Sequence, residues 1–206
     1  LIKEETLNAW THGLGTLLSL GGLVALLILS GRHGDAWHIV SAGIYGATLM
    51  LLFASSTLYH SMRNPRPKHV FRIMDHVSIF LLIAGTYTPI ALVSLRGTWG
   101  WSLFGVIWGL ALYGIVFQVF FVNRFRVLRT LIYLLMGWLV VIALKPLLAT
   151  VPMPGLIWLL LGGLSYTVGV LFYLWKKLPF HHAVWHLFVL VGSGCHYFAV
   201  LFYVLT

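Results

Sequence analysis

Acidic side chains are almost missing from this sequence: Glu4, Glu5, Asp35 and Asp75 are all there are in 206 residues. Charged residues of both signs make up only 8%, against about 25% in a soluble domain. That shortage excludes a water-soluble globular protein. Cysteine is nearly missing too. The single Cys195 cannot close an internal disulfide, so no oxidised framework is implied and it reads as a small packing residue in a helix. Repeats, low-complexity tracts and an extramembrane domain are also missing. The first apolar segment lacks an A-x-A-like cleavage site, so it is expected to stay in the chain as a span. A chain opening at Leu1 instead of Met is expected to have had residues before it. The formal charge of +9 does not point to nucleic acid, because there is no basic helix face or aromatic RNA-binding signature.

What is present is apolar: 60% hydrophobic residues and a mean hydropathy of +0.96. Seven apolar spans, bounded by polar or turn residues, fall at about 7–30, 37–62, 70–95, 100–122, 127–148, 154–176 and 181–205. The expected fold is therefore an all-α integral membrane protein, a seven-transmembrane helix bundle forming one domain over 1–206. Short connections make consecutive helices antiparallel neighbours. Pro89, inside the third span, should kink it. Gly13, Gly15, Gly21 and Gly22 should let the first helix approach its neighbours closely.

The basic residues give the orientation. Lys3, Arg63, Arg66, Lys68, Arg72, Arg124, Arg126, Arg129, Lys176 and Lys177 fall on one side, and Arg32, Arg96 and Lys145 on the other. The positive-inside rule then puts the N-terminus in the cytoplasm. Glu5, Asn8 and His12 of the first span, Ser56 and His60 of the second, Asp75 of the third, and His182 and His186 of the seventh all come to similar depth near the inner leaflet.

Ionisable residues inside a membrane point to a functional site. His182 and His186 are one turn apart on one helix face, and His60 shares a face with Ser56. Three neutral imidazoles with a nearby carboxylate suit zinc, and three protein ligands leave a fourth position for water, as in catalytic zinc sites. Zinc lowers the pKa of such a water to about 7. Asp75 is then expected to orient the water or serve as general base, and Ser56 to orient His60 or a substrate carbonyl. Glu5 and His12 lie on one stripe and are candidates to support the ligands. The competing reading is a set of interfacial histidines bonded to backbone carbonyls; agreement in depth across three helices favours a site. His33, His38, His69 and His181 lie at loop edges and are expected to be solvated. His196, about 15 Å deeper than His186, should partner a neighbouring helix. A retinal protein is excluded because the last span has no lysine. A bis-histidine haem protein is excluded because no other span offers a matching pair.

The motifs E-E-x-x-N-x-x-T-H-G from Glu4, S-S-T-L-Y-H from Ser55, D-H-x-x-I-F-L-L-I-A-G-T-Y-T-P from Asp75, and H-x-x-x-H with a later C-H in the last span occur in this order. Together they resemble the bacterial hemolysin III family, which belongs with the progestin and adipoQ receptors and, more distantly, the alkaline ceramidases. The resemblance implies seven helices, a cytoplasmic N-terminus and an inner-leaflet zinc held by His60, His182 and His186, with Ser56 and Asp75 in the same set. Two functions are expected from it. One is a zinc-dependent hydrolase of a lipid amide or ester in the bacterial inner membrane, with membrane lipids as its partners. The alternative is a non-enzymatic regulator or cytolytic protein whose zinc is structural. Self-association is left open.

Overall fold

A computed structural model describes residues 2–121 and 124–205, and these are helical almost throughout, with no strand among them. The helices are α1 (Ile2–His33), α2 (Ala36–Ser61), α3 (Pro65–Pro89), α4 (Thr98–Phe121), α5 (Arg126–Trp138), α6 (Leu144–Thr150), α7 (Met153–Leu174) and α8 (His181–Tyr203). With α5 and α6 counted as two halves of one segment, seven segments are long and apolar enough to cross a membrane. The chain is a multi-pass membrane protein. The expected domain limits at 1 and 206, and the expected end of the fourth span at 122, lie outside the described residues.

Neighbours in sequence pack together from α1 through α4, and α7 packs on α8. The α5 helix contacts α3, α4 and α7, and α1 contacts α8, so the helices close into a ring. Seven crossings put the two ends of the chain at opposite ends of the bundle. The start of α1, the end of α2, and the starts of α3 and α8 therefore share one end, which also carries most of the Lys and Arg side chains.

Local chemistry sets the boundaries. Asp35 caps α2, accepting from the main-chain nitrogens of Trp37 at 2.9 Å and His38 at 3.2 Å, while the His38 ring reaches back to the cap. The Arg96 guanidinium also donates to Asp35 at 2.8 Å, joining the α1–α2 turn to the segment before α4. These bonds, from His38 first and Arg96 next, hold the Asp35 carboxyl well below the usual carboxylate range. His38 is thus a capping residue instead of a solvated one, whereas His33 and His69 are exposed as expected. The α3 helix begins five residues before the expected 70, because the Asn64 side chain caps it and Pro65 opens its first turn. The α3 helix ends at Pro89, and the chain continues as a π turn over Ile90–Ser94.

The fifth span is not the single helix expected. It breaks into a tight 3-10 turn, Leu139–Ala143, between α5 and α6. The Tyr87 hydroxyl accepts from the Val140 nitrogen at 2.7 Å and lies 2.9 and 2.8 Å from the Met136 and Gly137 carbonyls. It serves main-chain groups that the broken ladder frees, which is the condition for irregular backbone inside a bilayer.

Leucines and other large apolar residues crowd the outside, while Asn8, His12, Ser56, His60, Ser78, Gln118, Arg129 and His186 are buried. Polar groups face inward because hydrocarbon offers them no partners. Arg129 is accordingly not a loop cation, as its count among the orienting charges assumed. It lies within α5, 3% exposed, and donates to Gln118 at 2.9 Å. The α1 glycines behave unevenly. A Cβ at Gly15 would meet Phe53 at 2.5 Å and one at Gly22 would meet Tyr197 at 2.9 Å, whereas Gly21 faces open space.

Candidate metal centre

His60, from the last turn of α2, meets His182 and His186, from the first two turns of α8. One ligand atom from each lies within 4.8 Å of the others. Ring centroids are 5.1 Å apart for His60 and His182, 5.0 Å for His60 and His186, and 4.7 Å for His182 and His186. Nitrogen ligands about 2.0–2.1 Å from a tetrahedral ion stand roughly 3.4 Å apart. Rotamer adjustments of about an ångström would bring these three to that spacing, so the group can bind a metal.

The hydrogen bonds around the rings agree with this. The His60 Nδ1 donates to Glu5 Oε2 at 2.7 Å. Its Nε2 is buried and has no hydrogen-bond partner among the described residues. An imidazole whose Nδ1 carries the proton presents a lone pair at Nε2, and a buried lone pair without a donor needs another partner. The His186 Nδ1 also faces α1. The Thr11 hydroxyl donates to the Asn8 carbonyl at 3.0 Å and sits 3.2 Å from His186 Nδ1. With its own proton committed, Thr11 accepts the His186 Nδ1 proton, which leaves Nε2 as that ring's lone pair. Lys68 Nζ, 3.1 Å from Glu5 Oε1, holds the carboxylate from its other side.

The remaining candidates fall around a cavity of about 150 Å³ inside the ring of helices. His182 and His186 line it, with Asp75, Ser56 and His12, and His196 lies farther along α8. The stretch from His182 to His196 spans about 21 Å of helix. Most of the wall between is apolar, including Leu52, Ile79, Leu82, Val170 and Val189. Ser56 is buried, and its Oγ bonds to nothing among the described residues. It therefore does not orient His60; Glu5 does. Asp75 lies 3.9 Å from His76, whose Nδ1 donates to the Arg72 carbonyl at 2.7 Å. His12 stacks on His186 with ring centroids 3.5 Å apart and planes 9° from parallel. The His196 Nε2 lies 3.1 Å from the Leu159 carbonyl, so this ring bridges α8 to α7. His181, expected to be solvated, is half-buried with its Nδ1 shielded.

Thr11, against His186, and His76, beside Asp75 in the cavity wall, join the site although the sequence reading offered neither as a member of it. Both stand inside motifs already singled out, Thr11 beside His12 and His76 beside Asp75. Their neighbours' ligand-like character drew the attention that their own positions merited.

The chain matches the family model described as haemolysin-III related over residues 1–197. It is 54% identical to the Hemolysin-3 homolog of Bacillus subtilis (strain 168), over 98% of this chain and 95% of that protein. It is 51% identical to Hemolysin-3 of Bacillus cereus, over 99% of this chain and 93% of that protein. It is 30% identical to the human monocyte to macrophage differentiation factor, over 96% of this chain and 83% of that protein. No solved structure matches the chain.

Proposed function

The chain belongs to the haemolysin-III-related family, and from that premise we propose that it is a zinc-dependent hydrolase of a lipid amide or ester. The observation that carries this reading is the placement of the three-histidine group. Two of its members open onto an apolar cavity that also receives Asp75 and Ser56. Three imidazoles and no thiolate fit an open, catalytic zinc site better than a closed structural one. Bound zinc would polarise a carbonyl and bring the pKa of a water to about 7.

The protein's own groups supply the rest. The apolar wall takes the acyl chain and excludes bulk water. Ser56 Oγ donates to the substrate carbonyl, for which its hydroxyl has no competing partner among the described residues. Asp75 accepts the proton of the attacking water and returns it to the leaving amine or alcohol. Glu5 keeps His60 in the tautomer that presents Nε2. The charge asymmetry and the bacterial relatives support a place in the inner membrane with the N-terminus and the histidines on the cytoplasmic side.

The test pairs zinc content with turnover of long-chain acyl amides and esters. Purified protein should carry about one zinc per chain. His182→Ala should lose both metal and turnover, and Asp75→Asn should lose turnover while keeping the metal. Turnover surviving in Asp75→Asn would remove the aspartate from its role. The alternative is a non-enzymatic regulator or a cytolytic protein with structural zinc, to which the name Hemolysin-3 of the Bacillus cereus relative points. It predicts that chelation unfolds the protein and that no lipid product appears.

A further inference from the structure

His12 is 3% exposed and lines the cavity, yet neither ring nitrogen is at hydrogen-bonding geometry with any described residue. The His186 main chain lies beside the ring without meeting that geometry. An imidazole carries one donor and one acceptor in its neutral form, so even a weak contact there leaves a nitrogen unpaired. Groups of this kind are nearly always satisfied in folded proteins, and the exceptions call for an explanation. The ring is also not free to turn away. His186 stacks on one face and Phe53 meets it edge-on at 5.1 Å. Ser56 lines the same cavity, and its Oγ is likewise buried and unpartnered among the described residues. A mostly apolar chamber thus has in its wall, beside the candidate histidine ligands, a ring with an unpaired donor and acceptor, on a helix that supplies no ligand.

We infer that His12 takes the polar group of a long-chain lipid entering this cavity, a hydroxyl or an amide able to give and receive a hydrogen bond. The inference deepens the hydrolase reading, since it uses the same cavity. It assigns His12 to direct contact with the ligand, where the sequence offered it only as support for the metal ligands. A neutral hydrogen bond gained on binding corresponds to a preference of about three- to tenfold over a chain-matched ligand without the polar group.

The experiment uses zinc-loaded, full-length protein in lipid nanodiscs. Displacement of a fluorescent acyl probe is measured with oleamide, oleyl alcohol and 1-octadecene. Wild type should favour the amide and the alcohol over the alkene by at least that factor. His12→Phe, which keeps an aromatic ring against His186, should bind zinc, and its preference should be smaller than that of wild type by about that factor. His12→Gln, which keeps a donor and an acceptor, should retain the preference. Equal binding of the three by wild type, as expected if only water meets His12, would overturn the inference, as would an unchanged preference in His12→Phe. Should His12→Phe fail to fold, oleamide labelled with ¹³C at its carbonyl decides the matter. A hydrogen-bonded amide band that persists in Ser56→Ala without zinc supports the contact, and a free one there refutes it. Product is followed in the same samples. Preference without cleavage sinks the hydrolase and leaves His12 in place; cleavage without preference does the reverse.

Discussion

Glu5 supplies no metal ligand, yet the structure makes it the residue on which His60 depends. Its Oε2 receives the His60 Nδ1 proton at 2.7 Å and its Oε1 receives Lys68 at 3.1 Å. Removing a carboxylate that orients a ligating histidine typically costs 10–100-fold in metal affinity, or about 1.4–2.7 kcal/mol. The Glu5 side chain is 39% exposed, so water screens part of the interaction and the lower half of that range applies. Glu5→Ala should weaken zinc binding about ten- to thirtyfold, and Glu5→Gln, which can still accept through its amide oxygen, by less. Lys68→Ala is the contrasting variant. Its ion pair with Glu5 is partly exposed, at 29% and 39% of the two side chains, and such pairs contribute about 0–1 kcal/mol, so affinity should fall by about fivefold at most. Competition against a chelator of known zinc affinity, with purified protein in detergent, reads all three. Zinc held by Glu5→Ala as tightly as by wild type would refute the claim that the Glu5 bond selects the tautomer presenting Nε2. So would a larger loss in Lys68→Ala than in Glu5→Ala.

Tyr87→Phe removes the hydroxyl that serves the break between α5 and α6. Interhelical hydrogen bonds in membranes contribute about 0.6–1.7 kcal/mol; a thermal midpoint unchanged from wild type would show that the break stands without it. Gly162→Ala would drive a Cβ into the His196 ring. Overpacking of that kind costs about 1–3 kcal/mol, and the melting temperature should fall while the metal content stays that of wild type. Asp35 gives the pH-dependent case. Its carboxyl is held low in the folded chain by His38 and Arg96, so its contribution is present above the ordinary carboxylate value of about 3.9 and is lost as pH falls through the lowered one. The difference in melting temperature between wild type and Asp35→Asn should therefore stay constant from pH 7 to about 4 and narrow only below that. A difference already gone at pH 5 would contradict it.

The seven spans were legible because hydrocarbon leaves so few options: long apolar runs with charges at their ends must be helices. The three histidines were legible for a related reason. Imidazoles at one depth on two helices are conspicuous where polar groups are scarce, and His60, His182 and His186 do meet. What stayed hidden was set by packing. The 3-10 turn precedes Pro146, which cannot donate to the Ile142 carbonyl, but nothing in the run announces that the Tyr87 hydroxyl, some fifty residues earlier, meets the freed main chain. Arg129 sits at the polar edge of its span and reads as a loop charge until Gln118 is found beside it. Ser56 stands one turn from His60, so sequence spacing offered it as the orienting group. The neighbouring helix supplies Glu5 instead.

That substitution shows how the centre is assembled. The candidate ligands come from α2 and α8, but the proton on each of two of these rings is taken by α1: His60 by Glu5 and His186 by Thr11. A third α1 residue, His12, lies flat against His186. These contacts need α1 seated closely between its two neighbours. Gly15 permits that against Phe53 of α2, and Gly22 against Tyr197 of α8. The α1 helix offers few buried positions of its own and presents Leu14, Leu17, Leu18 and Leu20 to lipid. Its seat therefore depends on these close approaches and on the polar contacts at its start. A helix that contributes no ligand thus fixes which nitrogen two of the three ligands present, and the geometry of the site is inseparable from the closure of the ring between α1 and α8.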